Sequence, residues 1–192
     1  NTKSYKKKQH DHFILKTNKE HFLVFNDTRR FGFIDYDDSN IIENRTYMLS
    51  LGMEALSNKL NVSYLLDKIS NKMVPIKQIL LDQTIIAGIG NIYASEILFI
   101  ANISPLELGK DIKTVQANNL IISTKKILKK AIIKGGSSLK DYVSSDGTLG
   151  NFQENFKVYN RGGQKIKGKM IKKIVQYGRS TYYCPSFQKK NK

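Results

Sequence analysis

Residues 75–103, PIKQILLDQTIIAGIGNIYASEILFIANI, constrain the chain more than any other stretch. Their pattern predicts two short helices joined by a long double turn. Ile76, Ile79, Leu80 and Leu81 form one apolar face, and Ile92, Ala94, Ile97 and Leu98 form a second, with Ile100 and Ile103 beyond it. Between them, Ala87-Gly88-Ile89-Gly90-Asn91 places two glycines and an asparagine where a helix has to begin. Asn91 is suited to cap that helix, and the glycines let backbone amides come close to an outside group. Freed N–H groups at a helix start form an anion site, so two readings stand: a plain helical hairpin, or one that holds an anion.

Charge bears on that choice. Lys and Arg number 32 against 16 Asp and Glu, leaving a net charge of +16 on 192 residues. Such an excess favours a polyanionic partner, nucleic acid before membrane, because released counterions repay clustered positive charge. Charge alone fits general RNA binding equally well. No run of about 18 apolar residues is free of polar interruptions, so no transmembrane helix is expected. The opening, NTKSYKKKQHDHF, has no apolar core of a secretory signal. A single cysteine, Cys184, excludes an internal disulfide and points to a reducing compartment. It also leaves any four-ligand zinc site short of thiolates. The first residue is Asn rather than Met, which suits a fragment or a processed product.

Taken in order, residues 1–11 are polar and basic and are expected as a loop. His12 to Leu15 and His21 to Phe25 predict two strands around an Asn18-Lys19-Glu20 turn, and Arg29-Arg30-Phe31-Gly32-Phe33-Ile34 predicts a further extended run. The piece is too small to stand alone and suits the tail of a larger sheet. After a polar linker over 37–44 the pattern becomes helical. Ser63 is expected to cap a helix carrying Leu65, Leu66, Ile69 and Met73. Thr114 starts the clearest helix, with Ala117, Leu120, Ile121, Leu128 and Ile132 on one face and Gly135-Gly136 ending it. Lys125, Lys126, Lys129 and Lys130 fall largely off that face, as solvated lysines do. Residues 135–155 are loop-like. Residues 156–192 hold eleven Lys and Arg and no acid, with Val158, Tyr159, Ile171, Ile174, Val175, Tyr182 and Tyr183 in short extended runs. They predict a basic β-hairpin with Arg179 at its tip.

Five stretches, in this order, carry a resemblance to a known family: His10-Asp11-His12; Asp27-Thr28-Arg29-Arg30-Phe31-Gly32; Leu81-Asp82-Gln83 through Gly88-Ile89-Gly90-Asn91-Ile92-Tyr93-Ala94-Ser95-Glu96; Gly135-Gly136-Ser137-Ser138-Leu139-Lys140-Asp141-Tyr142; and Gly178-Arg179-Ser180-Thr181-Tyr182-Tyr183-Cys184-Pro185. Together they resemble the formamidopyrimidine-DNA glycosylases, base-excision enzymes grouped with endonuclease VIII. The third stretch is similar to that family's helix-two-turn-helix. The fourth is more like the formamidopyrimidine branch.

The resemblance implies an α+β chain in three parts: 1–40, the end of an N-terminal β-sandwich; 41–155, the helix-two-turn-helix domain; and 156–192, a finger-type β-hairpin. It implies a DNA glycosylase/AP lyase that flips an oxidised purine (8-oxoguanine or a formamidopyrimidine) from duplex DNA and cleaves the strand by β,δ-elimination. His10 and Arg29 match DNA-contacting positions. Arg29 would also reach toward the orphaned base, with Phe31 wedged beside it. Asn91 and the amides near it would grip phosphates flanking the lesion, with Lys72 and Lys77 adding cationic contacts. Arg179 matches the finger arginine, which clamps phosphates with its planar fork and is assigned as proton donor for δ-elimination. The 135–155 loop would close over the flipped base.

Two departures qualify these expectations. The family's N-terminal proline nucleophile, its catalytic glutamate, its lysine and its methionine wedge have no counterpart here. The sequence is therefore expected to be inactive alone, needing an N-terminal half encoded elsewhere, or else to be a non-catalytic damaged-DNA-binding remnant. The second departure is in the finger, which in the family usually carries four cysteines around one zinc. Only Cys184 remains, Phe187 stands at the fourth position, and Gln164-Lys165-Ile166-Lys167-Gly168 replaces the first pair. No cofactor is expected, and Ile166, Ile171, Ile174 and Phe187 would supply packing in its place. The remaining expectations are a monomer in the bacterial cytoplasm, without membrane attachment.

Overall fold

The computed structural model describes residues 4–137 and 150–190, which fall into two compact units, 1–44 and 45–192. In the first unit, β1 (Asp11–Lys16) pairs antiparallel with β2 (Phe22–Asn26), in the register Phe13↔Phe25 and Leu15↔Leu23. Alternation puts those four side chains on one face, and Phe13, Leu15 and Leu23 are exposed on it. A short helix, α1 (Ser39–Ile42), follows.

The expected extended run at Arg29 to Ile34 forms no ladder. Asp27 diverts it instead: Oδ1 accepts the N–H groups of Arg29 and Arg30 at 3.0 and 2.9 Å, and Oδ2 accepts that of Gly32 at 2.6 Å. A carboxylate taking nearby backbone donors gives the chain an alternative to strand pairing. Arg30 completes the turn with φ of 54°. The bond from Gly32, with those from Arg29 and Arg30, holds the Asp27 carboxyl below its ordinary pKa.

The second unit runs α2 (Thr46–Leu49), β3 (Met53–Glu54), α3 (Val62–Ile69), α4 (Ile76–Leu80), β4 (Ile86–Ala87), α5 (Asn91–Ile100), α6 (Thr114–Ile133), β5 (Lys165–Ile166), β6 (Lys169–Met170), β7 (Lys172–Gln176) and β8 (Arg179–Tyr183). Its core is aliphatic: Leu65, Ile69, Ile76, Ile79, Leu80, Ile97, Leu98 and Leu120 are all within 1% of complete burial. At the centre lies α5, where Ala94 through Leu98 are buried in succession, so the helix lacks the polar stripe of a surface helix. The long helix begins at Thr114 and stops at Gly135 and Gly136, both in the left-handed region at φ of 71° and 80°.

Three local expectations change. Asn61, not Ser63, caps α3, accepting the N–H of Tyr64 at 2.9 Å, and Met73 lies beyond that helix, exposed. On α6 the buried residue of the last turn is Ala131, while Ile132 is 65% exposed. Val158 and Tyr159 belong to no strand.

Gly52 makes a tight backbone approach. It donates to Gln83 O at 2.8 Å beside the parallel β3–β4 pair, and a Cβ there would fall on the backbone of Ile85. Gly52→Ala is expected to cost about 2 kcal/mol, because overpacking against backbone cannot relax by rotamer change. Urea denaturation checks it; an unchanged midpoint would show that this approach is not tight.

Candidate nucleic-acid interface

Pro75 opens α4, and the double turn delivers Lys77 and the start of α5 to the same place. Lys77 is 1% exposed, an unusual position for an ammonium group. Nζ donates to Asn91 Oδ1 at 2.6 Å, to Thr181 Oγ1 at 2.7 Å and to Ser180 O at 3.1 Å. Those are all the protons an ammonium has. The pKa of Lys77 is lowered to about 8, chiefly because burial penalises the charged form, with repulsion from Arg179 adding to it. Lys77 therefore spends all three of its donors on protein acceptors in this structure. It fastens the start of α5 to β8.

Asn91 does not cap α5, contrary to expectation. Gly90 holds the cap position, without a side-chain bond, and Asn91 is the first helical residue. Its side chain turns instead toward the finger: Oδ1 accepts from Lys77, and Nδ2 donates to Ser180 O at 3.1 Å. One Nδ2 proton remains, beside the amides that any first helical turn leaves without intrahelical partners. A Cβ at Gly88 or Gly90 would meet nothing within 4 Å, so the space over these amides is open.

Arg179 stands next to this cluster. β7 and β8 are joined by Tyr177 and Gly178 at φ of 48° and 73°, the two-residue turn whose twist suits a hairpin. Arg179 follows directly, opposite Gln176, and is exposed. Among the described residues its guanidinium has no hydrogen-bond acceptor. Lys72 lies in the turn after α3, half-buried, where its backbone bonds Ile69 O and Lys110 N–H. The second unit thus brings Lys77, Asn91 and Arg179 together, and among the described residues no hydrogen bond draws Lys72 into that group.

In the first unit His10 and the Asp27 turn are tied by Asp27 N–H donating to His10 O at 3.0 Å. The Arg29 guanidinium sits 4.7 Å from the centre of the Phe31 ring, and that ring is 79% exposed. An exposed aromatic held by a cation at its face is poised for a partner rather than for a core.

The anchoring role of Glu96, the last residue of the third matched stretch, escaped the sequence reading. Glu96 is 2% exposed in the middle of α5. Its Oε1 accepts the N–H groups of Val158 and Tyr159 at 2.9 and 2.8 Å, and Oε2 accepts that of Lys157 at 2.8 Å. This carboxyl group fixes the chain where it enters the finger. The signal in the sequence was an acid directly before the apolar run Ile97-Leu98-Phe99-Ile100.

The donor set does not fit the four-thiolate zinc site that the resemblance implies. Cys184 is fully buried, Phe187 contributes no ligand, and among the described residues no group of three or more His, Cys, Asp or Glu is arranged to hold a metal.

Two helices joined by a double turn, with open amides at the second helix start and an arginine hairpin beside them, define a helix-two-turn-helix DNA-binding fold. Residues 51–143 match the family model described as the formamidopyrimidine-DNA glycosylase H2TH domain. The chain is 43% identical over 188 residues to the formamidopyrimidine-DNA glycosylase of Rickettsia bellii (strain OSU 85-389), covering 97% of this chain and 68% of that one. The Lactococcus lactis Fpg complexed with DNA containing an abasic site superposes with a TM-score of 0.87 at 31% identity, over 96% of this chain and 68% of that chain. A point mutant of that Lactococcus lactis enzyme with Fapy-dG containing DNA gives 0.88 at 31% identity, over the same shares. The chain belongs to the formamidopyrimidine-DNA glycosylase family, whose members are DNA glycosylase/AP lyases.

Proposed function

We propose that this chain binds duplex DNA at an oxidised purine or an abasic site and serves a glycosylase/AP lyase reaction ending in β,δ-elimination. One observation carries the reading: Lys77 and Asn91 lock the open amides of α5 against the strand that presents Arg179. Positioned donors of this kind suit phosphates on either side of a displaced nucleotide. Arg179 clamps those phosphates, and Asn91 offers its free amide proton. Lys77 holds both from behind, and Lys72 adds positive charge from the turn after α3. His10 and Arg29 contact the duplex, and Phe31 fills the gap left by the flipped base. The solved relatives with abasic and Fapy-dG DNA support this choice of ligand. The place of action is the bacterial cytoplasm, which accords with the finding that no helix among the described residues is long and apolar enough to cross a membrane.

The nucleophile is the remaining element. The three prolines of the sequence lie at 75, 105 and 185, within the helical and finger segments, so none supplies an N-terminal secondary amine. In the proposed reaction that amine comes from polypeptide outside these 192 residues. Borohydride reduction on 8-oxoguanine duplex is expected to trap no covalent adduct with this chain alone, and to trap one when the N-terminal portion of a relative is added. Trapping by the chain alone would place a nucleophile within it. Binding without trapping under either condition would favour the non-catalytic damaged-DNA-binding reading.

Binding itself gives a further expected outcome. Affinity for an abasic-analogue duplex is expected to fall with salt, by a slope of about −0.9 for each phosphate contact. Arg179→Ala is expected to reduce that slope by about one. An unchanged slope would remove Arg179 from the phosphate contacts.

A further inference from the structure

We propose that the finger of this chain is a metal-independent module, closed by two side-chain clasps at the positions of the family's two ligand pairs, of which only Cys184 remains. The first clasp replaces the pair before the hairpin. Lys167 and Gly168, at φ of 46° and 75°, make a two-residue turn that lets β5 and β6 pair without any crosslink. Arg161 fastens this small hairpin at its base. Its Nε donates to Gln164 Oε1 at 2.9 Å and its Nη1 to Phe156 O at 3.3 Å. Gly163 N–H and Ile171 N–H then bond Ile171 O and Gln164 O, both at 2.9 Å, joining it to the main hairpin.

The second clasp stands at Cys184 and Phe187. The Phe187 ring packs edge-on against Phe99 of α5, with centroids 6.3 Å apart and planes at 85°. The next residue, Gln188, is 2% exposed and bridges two backbones: Oε1 accepts Cys184 N–H at 2.8 Å, and Nε2 donates to Ile103 O at 2.9 Å. A side-chain amide thus does what a metal would do there, holding the strand end in a fixed place. A hollow of about 430 Å³ lies between the β5–β6 hairpin and α5, and its lining includes Phe99, Ile100, Asn102, Ile166 and Phe187 with no thiol, imidazole or carboxyl group. Val158, Ile171 and Tyr182 form a small apolar core that packs against Phe99 and Ile166. These contacts tie both ends of the finger without a crosslink, and the described residues around Cys184 offer a metal no second strong ligand.

The test needs no DNA, so its failure is distinct from failure of the proposed function. Purified without chelators, the whole chain is expected to carry zinc well below one equivalent by elemental analysis. Its melting temperature should be the same with EDTA or with added zinc. One equivalent of zinc, or melting that falls on chelation, would overturn the proposal. Hydrogen exchange then tests the clasps. Arg161→Ala and Phe187→Ala are each expected to speed exchange in β5–β8 by about tenfold or more while α6 keeps its protection. Unchanged exchange in the hairpins of both variants would show that the clasps do not hold the finger.

Discussion

Lys77→Met is expected to destabilise the chain by about 3 kcal/mol and to weaken abasic-duplex binding by roughly 30-fold. Methionine has nearly the length of lysine, so the loss is one of polar pairing rather than volume. Removing the ammonium leaves Asn91 Oδ1, Ser180 O and Thr181 Oγ1 without their donor, in a place with little access for water. Each orphaned acceptor costs about 1–3 kcal/mol, and the relief of no longer burying a charge offsets part of the sum. Urea titration measures the first effect and fluorescence anisotropy the second. A variant with wild-type stability and affinity would mean that the buried ammonium holds nothing.

The same lysine predicts a pH dependence. Its folded pKa of about 8 lies below the ordinary 10.5 because burial and then Arg179 disfavour the charge. Between those values the folded chain binds fewer protons than the unfolded one. Lys77 therefore penalises folding fully below pH 8, and its contribution to stability rises as pH climbs through that window. Lys77→Met should lack this rise. Phosphates beside Asn91 and Arg179 would offset the repulsion and raise the pKa again, so binding above about pH 8 should take up protons in the wild type alone. Calorimetry in buffers of different ionisation enthalpy reads that uptake, and equal uptake by Lys77→Met would exclude this lysine as its source.

These effects were only partly visible in the sequence, and the reason is separation along the chain. The long helix was legible because a 3.6-residue apolar period runs from Thr114 to a glycine pair. The finger was legible because Tyr177-Gly178 is a hairpin turn in itself. Asn91 was misread as a cap. Gly90 takes the cap without needing a side chain, and that frees Asn91 for Ser180, 89 residues away. The burial of Lys77 was hidden for the same reason, since its partners on β8 lie more than 100 positions downstream. Period and propensity operate within a few turns of chain, whereas burial of a charge is decided by what a distant strand brings. The run at Arg29 to Ile34 failed differently. Its apolar alternation suggested a strand, but three backbone donors went to Asp27, a local competition that composition does not display.

Glu96→Ala is expected to be the most damaging single truncation in the molecule, costing about 3–5 kcal/mol, or roughly 10 °C in melting temperature. The carboxyl group accepts three consecutive N–H groups, from Lys157, Val158 and Tyr159, at the point where the chain leaves the helical layer for the finger. Those donors have no strand to turn to. Val158 is fully buried, so water cannot replace the lost acceptor there. Glu96→Gln should fall between, because its carbonyl oxygen can keep the bonds of Val158 and Tyr159 while its NH2 faces the N–H of Lys157. Glu154, exposed on a 3-10 turn, supplies the control, and its alanine variant should stay within about 0.5 kcal/mol of wild type. Thermal melting orders the three variants, and DNA affinity should follow the same order, since a loosened entry to the finger displaces Arg179 from the open amides of α5. Were Glu96→Ala to melt as the wild type does while losing affinity, the carboxyl group would be acting on the DNA rather than on the finger. Its complete enclosure by backbone donors makes the opposite outcome the expected one.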